Sequence, residues 1–208
     1  MKRLLVSFAA VIAVAAVPAT AQAGLLVETA QSCDAQSLSQ PFKQFLDPAQ
    51  YTLVPGGAFE AGDSAWKLTG GAATAAGNES WRVHESDDSR SLRLPAGSSA
   101  TSPAMCVGLG HPTMRLFAKK SGGGVLGGTL STLRIDVLIE DNLGLIKSLP
   151  TGLVLAGNDW SPSLPQLVVA NLLPLLDAGE TPVAFRLVPQ GPATWTVDDF
   201  YVDPWAGR

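Results

Sequence analysis

Charge is scarce in this 208-residue chain: 15% of its side chains are Asp, Glu, Lys or Arg, against about 25% in an average soluble domain. The 18 acidic and 14 basic groups give a formal net charge of −4. A nucleic-acid or anionic-membrane partner needs a clustered basic surface, and the body of the chain offers only the pair Lys119–Lys120. Histidine and cysteine are equally sparse, two of each, too few for an ordinary zinc site. His84 and His111 stand far apart and outside any ligand-pair spacing. No G-x-S-x-G is present, which excludes a nucleophile elbow. Aromatics make up 7%, a small supply for sugar stacking. These absences point away from enzymes and nucleic-acid binders.

The one long apolar run is at the start. Lys2 and Arg3 precede Leu4 to Val17, and Ala21-Gln22-Ala23 follows with the small residues that a signal peptidase accepts. The run is shorter than the roughly 20 residues of a bilayer-spanning helix. Residues 1–23 therefore read as a signal peptide cleaved after Ala23, and the product as secreted and extracellular. Export makes Cys33 and Cys106 a disulfide pair. Closing a loop of about 73 residues would stabilise the fold by roughly 4 kcal/mol in the chain-entropy picture.

Residues 24–50 form an N-terminal arm of mixed polarity. Gln40 to Pro48 predicts a short helical turn between prolines, with Phe42, Phe45 and Leu46 on one side packing onto the main domain. From Tyr51 to Arg208 the signals are those of strands. Ser91–Leu94, Thr113–Lys120, Leu133–Glu140, Val183–Leu187 and Thr194–Val202 carry one apolar face each, and glycine-rich turns separate them. Leu167 to Leu173 reads as a further, buried strand. The spacing predicts an all-β chain, an antiparallel β-sandwich of the jelly-roll kind. Glu79, Glu85, Asp87 and Asp88 lie in a turn-rich polar stretch and read as solvated loop carboxylates rather than a glycosidase pair.

Four pieces in order carry a family resemblance: Pro55-Gly-Gly-Ala-Phe-Glu60-Ala-Gly62 followed by Trp66; the Ser91-Leu92-Arg93-Leu94 strand; an apolar strand pair in the middle; and Trp195-Thr-Val-Asp198-Asp199-Phe-Tyr-Val-Asp203-Pro204. Together they resemble the CenC-type carbohydrate-binding modules and their galactose-binding-like jelly-roll relatives. The whole chain is similar to exported actinobacterial proteins in which a Cys-bearing arm precedes such a module. The resemblance implies a structural Ca²⁺ held by Glu60 and Asp198, with Asp199 as the alternative. Two carboxylates would balance the ion's charge, and carbonyls complete its six to eight oxygens.

It also implies a non-catalytic binding role, with a carbohydrate or another cell-envelope component as partner. Sugar modules stack pyranose rings on exposed aromatics. Trp66 and Trp195 fall at core positions, whereas Trp81 and Trp160 adjoin polar turns and are the expected contacts. An exported protein that binds other proteins through the same sandwich is the alternative, and a broad aliphatic patch near Leu167 to Leu176 would favour it.

Overall fold

The computed structural model describes residues 36–62, 66–108, 111–124, 130–140, 144–168 and 180–203. The expected signal peptide, Cys33 and the stretch from 169 to 179 lie outside the described residues. Thirteen strands are described, and every pairing among them is antiparallel.

The first sheet runs β10 (Ser161–Pro162), β7 (Thr113–Ser121), β13 (Thr194–Asp203), β4 (Arg90–Leu94), β3 (Ala73–Ala76). In it β1 (Thr52–Leu53) also pairs with β13, and β11 (Gln166–Leu167) with β7. The second sheet runs β2 (Lys67–Thr69), β5 (Ser99–Thr101), β12 (Glu180–Gln190), β8 (Thr132–Glu140), β9 (Ile146–Val154), and β6 (Met105–Gly108) pairs with β12. The alternating stretches of the sequence are thus the central strands. The expected strand from Leu167 to Leu173 is described only as the two residues of β11, followed by buried Val168.

Period-two alternation puts one face of each sheet inside. Leu92, Leu94, Leu116, Trp195 and Val197 meet Leu133, Ile135, Val137, Phe185 and Leu187 in a single core. The expected places of Trp66 and Trp195 hold: both are buried there. The glycine of the Gly-Ala-Phe-Glu segment has a steric reason. A Cβ on Gly57 would sit 2.8 Å from the Val54 carbonyl oxygen and 2.9 Å from that of Phe200. No larger residue fits between β1 and β13 there.

The arm covers the part of the first sheet's outer face around Phe117 and Tyr201. Its helical turn is a 3₁₀ segment, Lys43–Phe45. Phe42 is fully buried, stacked on Phe117 at 5.3 Å and edge-on to Tyr51 and Tyr201. Arg115 lies over its other side, 4.2 Å from the ring centre, and pairs with Asp47 at 2.6 Å. Leu46 corrects the expectation for this turn: it ends the 3₁₀ segment at φ 63° and is 95% exposed. The left-handed backbone that closes the turn swings it off the shared face.

Candidate functional site

The site begins with a break in the ladder of β13. Its register against β7 shifts between Asp198 and Tyr201, and Asp199 takes a left-handed φ of 48°. Such a bulge inserts one residue and reverses the alternation beyond it. Phe200 therefore enters the main core while Tyr201 joins the aromatic cluster under the arm. The carboxylates of Asp198 and Asp199 come beneath the 77–89 loop that joins β3 to β4.

That loop, whose residues 80–84 form no strand, corrects one sequence expectation. Glu79 and Asp88 are not solvated: Glu79 is 1% exposed and Asp88 is also buried. Glu79 folds the loop around itself, accepting hydrogen bonds from the backbone N–H groups of Trp81 and Val83. Its own N–H donates to Asp198 Oδ2 at 2.9 Å. Asp88 Oδ2 accepts from the N–H of Glu85 at 3.1 Å and lies 2.9 Å from His84 Nδ1.

Glu60 arrives from the Gly-Ala-Phe-Glu turn. It receives the N–H groups of Ser89 and Arg90 at 2.8 and 2.7 Å, stitching the turn to the start of β4. Of the three residues expected to hold a metal, Glu60, Asp198 and Asp199, only Asp199 belongs to a group of close donor atoms among the described residues, with Asp88 and His84. Asp198 and Glu60 accept backbone N–H groups, and the charge of Glu60 bears on Asp199 from nearby.

Asp199 is the outlier. It is fully buried, and among the described residues neither of its carboxylate oxygens has a hydrogen-bond partner. Burial and then the negative charges of Glu79, Asp88 and Glu60 push it up to about 8. Asp198 is pushed up to about 9 by burial and by Asp199. Ligand atoms of His84, Asp88 and Asp199 lie within 4.8 Å of one another. Buried acids without donors are costly unless something neutralises them. A hard cation taking oxygen ligands fits this donor set, with Asp199 as its unspent carboxylate. His84 is better placed as the partner of Asp88 than as a ligand to such an ion.

Of the two tryptophans expected to contact a ligand, Trp81 is 39% exposed but leans on Phe45 at 5.0 Å and Phe117 at 5.6 Å. It serves the arm as much as the surface. Trp160 is half-buried at the edge of the first sheet, with Lys119 Nζ 4.6 Å from its ring centre. From Trp160 a strip of outward-facing side chains crosses the sheet. Lys119, Thr196, Arg93 and Ala73 are paired in register on β7, β13, β4 and β3. Thr196 points outward because its neighbours Trp195 and Val197 are buried in the core. The strip from Trp160 to Arg93 spans about 14 Å, three strand spacings. Lys119, Thr196 and Arg93 were not among the expected contacts, although Arg93 and Thr196 lie within the quoted strand motifs. Only their cross-strand pairing brings them together.

The chain is an antiparallel β-sandwich of the jelly-roll class, on the evidence of its own strand pairings. No protein-family model and no curated protein matches it. Among solved structures it is similar to the CBM22-1–GH10 modules of Clostridium thermocellum endo-1,4-β-D-xylanase 10B complexed with xylohexaose. There the identity is 12% and the TM-score 0.47, over 76% of this chain and 29% of that one. It is similar also to the CBM22-1 xylan-binding domain of Paenibacillus barcinonensis Xyn10C, with 14% identity and TM-score 0.46, over 74% and 94% of the two chains. A third is TmCBM61 in complex with β-1,4-galactotriose, with 16% identity and TM-score 0.37, over 72% and 95%.

Proposed function

We propose that this protein is an exported, non-catalytic carbohydrate-binding module, organised as signal peptide 1–23, arm 24–50 and sandwich 51–208. The observation that carries the reading is the outward strip Trp160, Lys119, Thr196 and Arg93. It sets an aromatic ring beside hydroxyl-directed donors on rigid strands, and Lys119, whose Nζ lies over that ring, would swing aside for a pyranose to stack there. The neighbouring structures named above are a complex with xylohexaose, a xylan-binding domain and a complex with β-1,4-galactotriose, and these glycans belong in the first screen.

A structural Ca²⁺ belongs to the same reading. Asp199 supplies the free carboxylate, with Asp198, Glu60, Glu79 and Asp88 around it. The ion would neutralise the region and lock the 77–89 loop against β13. A Cys33–Cys106 bridge also fits. Gln36, three residues after Cys33, donates its Nε2–H to the Cys106 carbonyl at 3.0 Å, so the arm passes beside Cys106. Three residues reach at most about 10 Å, comfortably more than a disulfide requires.

One observation favours the alternative, a secreted protein-interaction module: Leu153, Leu155, Leu164 and Leu167 are all well exposed around β9 and β11. The deciding experiment is a glycan array probed with residues 24–208, in calcium and in chelator. A hit that Trp160→Ala abolishes supports the sugar reading. No hit from folded, calcium-loaded protein transfers the weight to the leucine patch.

A further inference from the structure

The outer face of the second sheet carries a charge arrangement that the Trp160 strip does not use. Asp136 on β8 is fully buried yet ionised. Burial pushes its carboxyl up, but hydrogen bonds from Arg186 and Arg134 outweigh this and hold it below the usual carboxylate range. Arg134 clasps it with two bonds, Nε to Oδ1 at 2.8 Å and Nη2 to Oδ2 at 3.2 Å. Arg186 reaches Oδ2 from β12 at 2.8 Å through Nη2, which also meets Ser148 Oγ at 3.0 Å. Two guanidiniums share one carboxylate, leaving a local positive charge on a chain whose net charge is −4. Both arginine side chains are about a third exposed, 34% and 35%. Neither spends its Nη1 in these bonds. Asp136 therefore holds two forks in fixed rotamers with an edge of each unspent, and preorganised forks lose less entropy when they bind.

A cavity of about 330 Å³ opens beside Arg134, lined by Arg134, Pro150, Thr151, Gly152, Leu153 and Gln166. It sits on a bulge: Ile135 pairs with Gly152 and Asp136 with Pro150, so Thr151 is the inserted residue. The Thr151 Oγ1 atom is buried and has no hydrogen-bond partner among the described residues. Gln166 crosses from the other sheet, its Oε1 accepting from the N–H of Leu153 and its Nε2–H donating to the Leu164 carbonyl, each at 3.1 Å. Gly152 leaves it room, since a Cβ there would meet the Gln166 side chain at 3.2 Å. The volume is near the lower end for small-ligand sites, about 300 to 1,000 Å³.

We propose that this cavity is a second ligand site, for a carboxylate-bearing sugar such as a hexuronic acid. The carboxylate pairs with the unspent edge of Arg134, a ring hydroxyl satisfies Thr151 Oγ1, and the apolar ring face rests on Pro150 and Leu153. The site is argued from its own residues and stands whether or not the Trp160 strip binds a glycan.

The test uses methyl glucuronide and its uncharged counterpart, methyl glucoside, followed by amide NMR shifts of the whole protein. Glucuronide is expected to shift Gly152 and Leu153 and leave Lys119 and Thr196 unmoved, with glucoside at least tenfold weaker. Arg134→Gln should weaken glucuronide at least tenfold and Thr151→Val severalfold, while Trp160→Ala leaves it unchanged. Thr151→Val is the folding-neutral variant should Arg134→Gln disturb the Asp136 cluster. Equal binding of the two sugars overturns the proposal, as does no binding at about 10 mM glucuronide, tenfold above a millimolar Kd. Unchanged affinity in both variants overturns it as well.

Discussion

Phe42→Ala probes whether the arm is part of the folded unit or merely laid upon it. The ring is fully buried and touches Phe117, Tyr51 and Tyr201, with the Arg115 guanidinium on its open side. Truncating such a ring costs about 3–5 kcal/mol, and the lost cation–π contact lies within that range. At about 2–4 °C per kcal/mol for a domain of this size, the melting temperature should fall by roughly 6–20 °C. Leu46→Ala is the internal control. Four residues along the same turn but 95% exposed, it should change stability by less than about 0.5 kcal/mol. Scanning calorimetry reads both, with limited proteolysis alongside. A Phe42→Ala protein that melts within 2 °C (about the width set by a 0.5 kcal/mol change) of the parent and resists protease equally would refute the reasoning. A normal sandwich melt with rapid cleavage near residue 45 would instead show the arm unfolding as a separate local unit.

Calcium should raise the melting temperature by about 5–10 °C at a hundredfold excess over Kd. Asp199→Asn should erase that rise, while a rise that persists removes Asp199 from the site. Two stages of acid destabilisation are expected, opposed in the calcium-free protein by Asp198 and Asp199, whose raised pKa values of about 9 and 8 favour the folded state as pH falls below them. Burial lowers the His111 pKa, so the folded imidazole stays neutral while the unfolded one charges below 6.5, and stability falls as pH drops through that value. Asp47 and Asp136 are both held below 3.8, so their contribution is present above that value and is lost as pH falls through their folded values. His111→Gln should remove the first stage alone in pH-dependent denaturant melts. Reduction of a Cys33–Cys106 bridge should expose the arm to protease before the sandwich melts, and an arm equally protected after reduction would speak against the bridge.

The strands were readable because each buries one face against one core. Leu133, Ile135, Val137 and Ile139 can be in register only one way, and the structure places them so. The Gly-Ala-Phe-Glu turn was read from the family resemblance, and the structure supplies its steric reason, the space between two carbonyls at Gly57. The loop carboxylates were not. Glu79 and Asp88 lie among turn residues whose composition is that of a solvated loop, and nothing local signals that the loop folds onto a sheet. Leu46 was misplaced because helical spacing ignores how a 3₁₀ turn ends.

Sequence by itself determined the class of fold, the central strands and the tryptophans of the core, since these follow from periodicity and short motifs, whereas the Glu60, Asp198 and Asp199 set was implied by the family resemblance alone. Only the tertiary structure decided what those residues face. One inserted residue in β13 turns Phe200 inward and sets two aspartates under a loop. One inserted residue in β9 opens a cavity beside Arg134. A bulge is a property of two paired strands, and its consequences depend on residues more than a hundred positions apart, as with Glu79 and Asp198. No local pattern can encode that meeting.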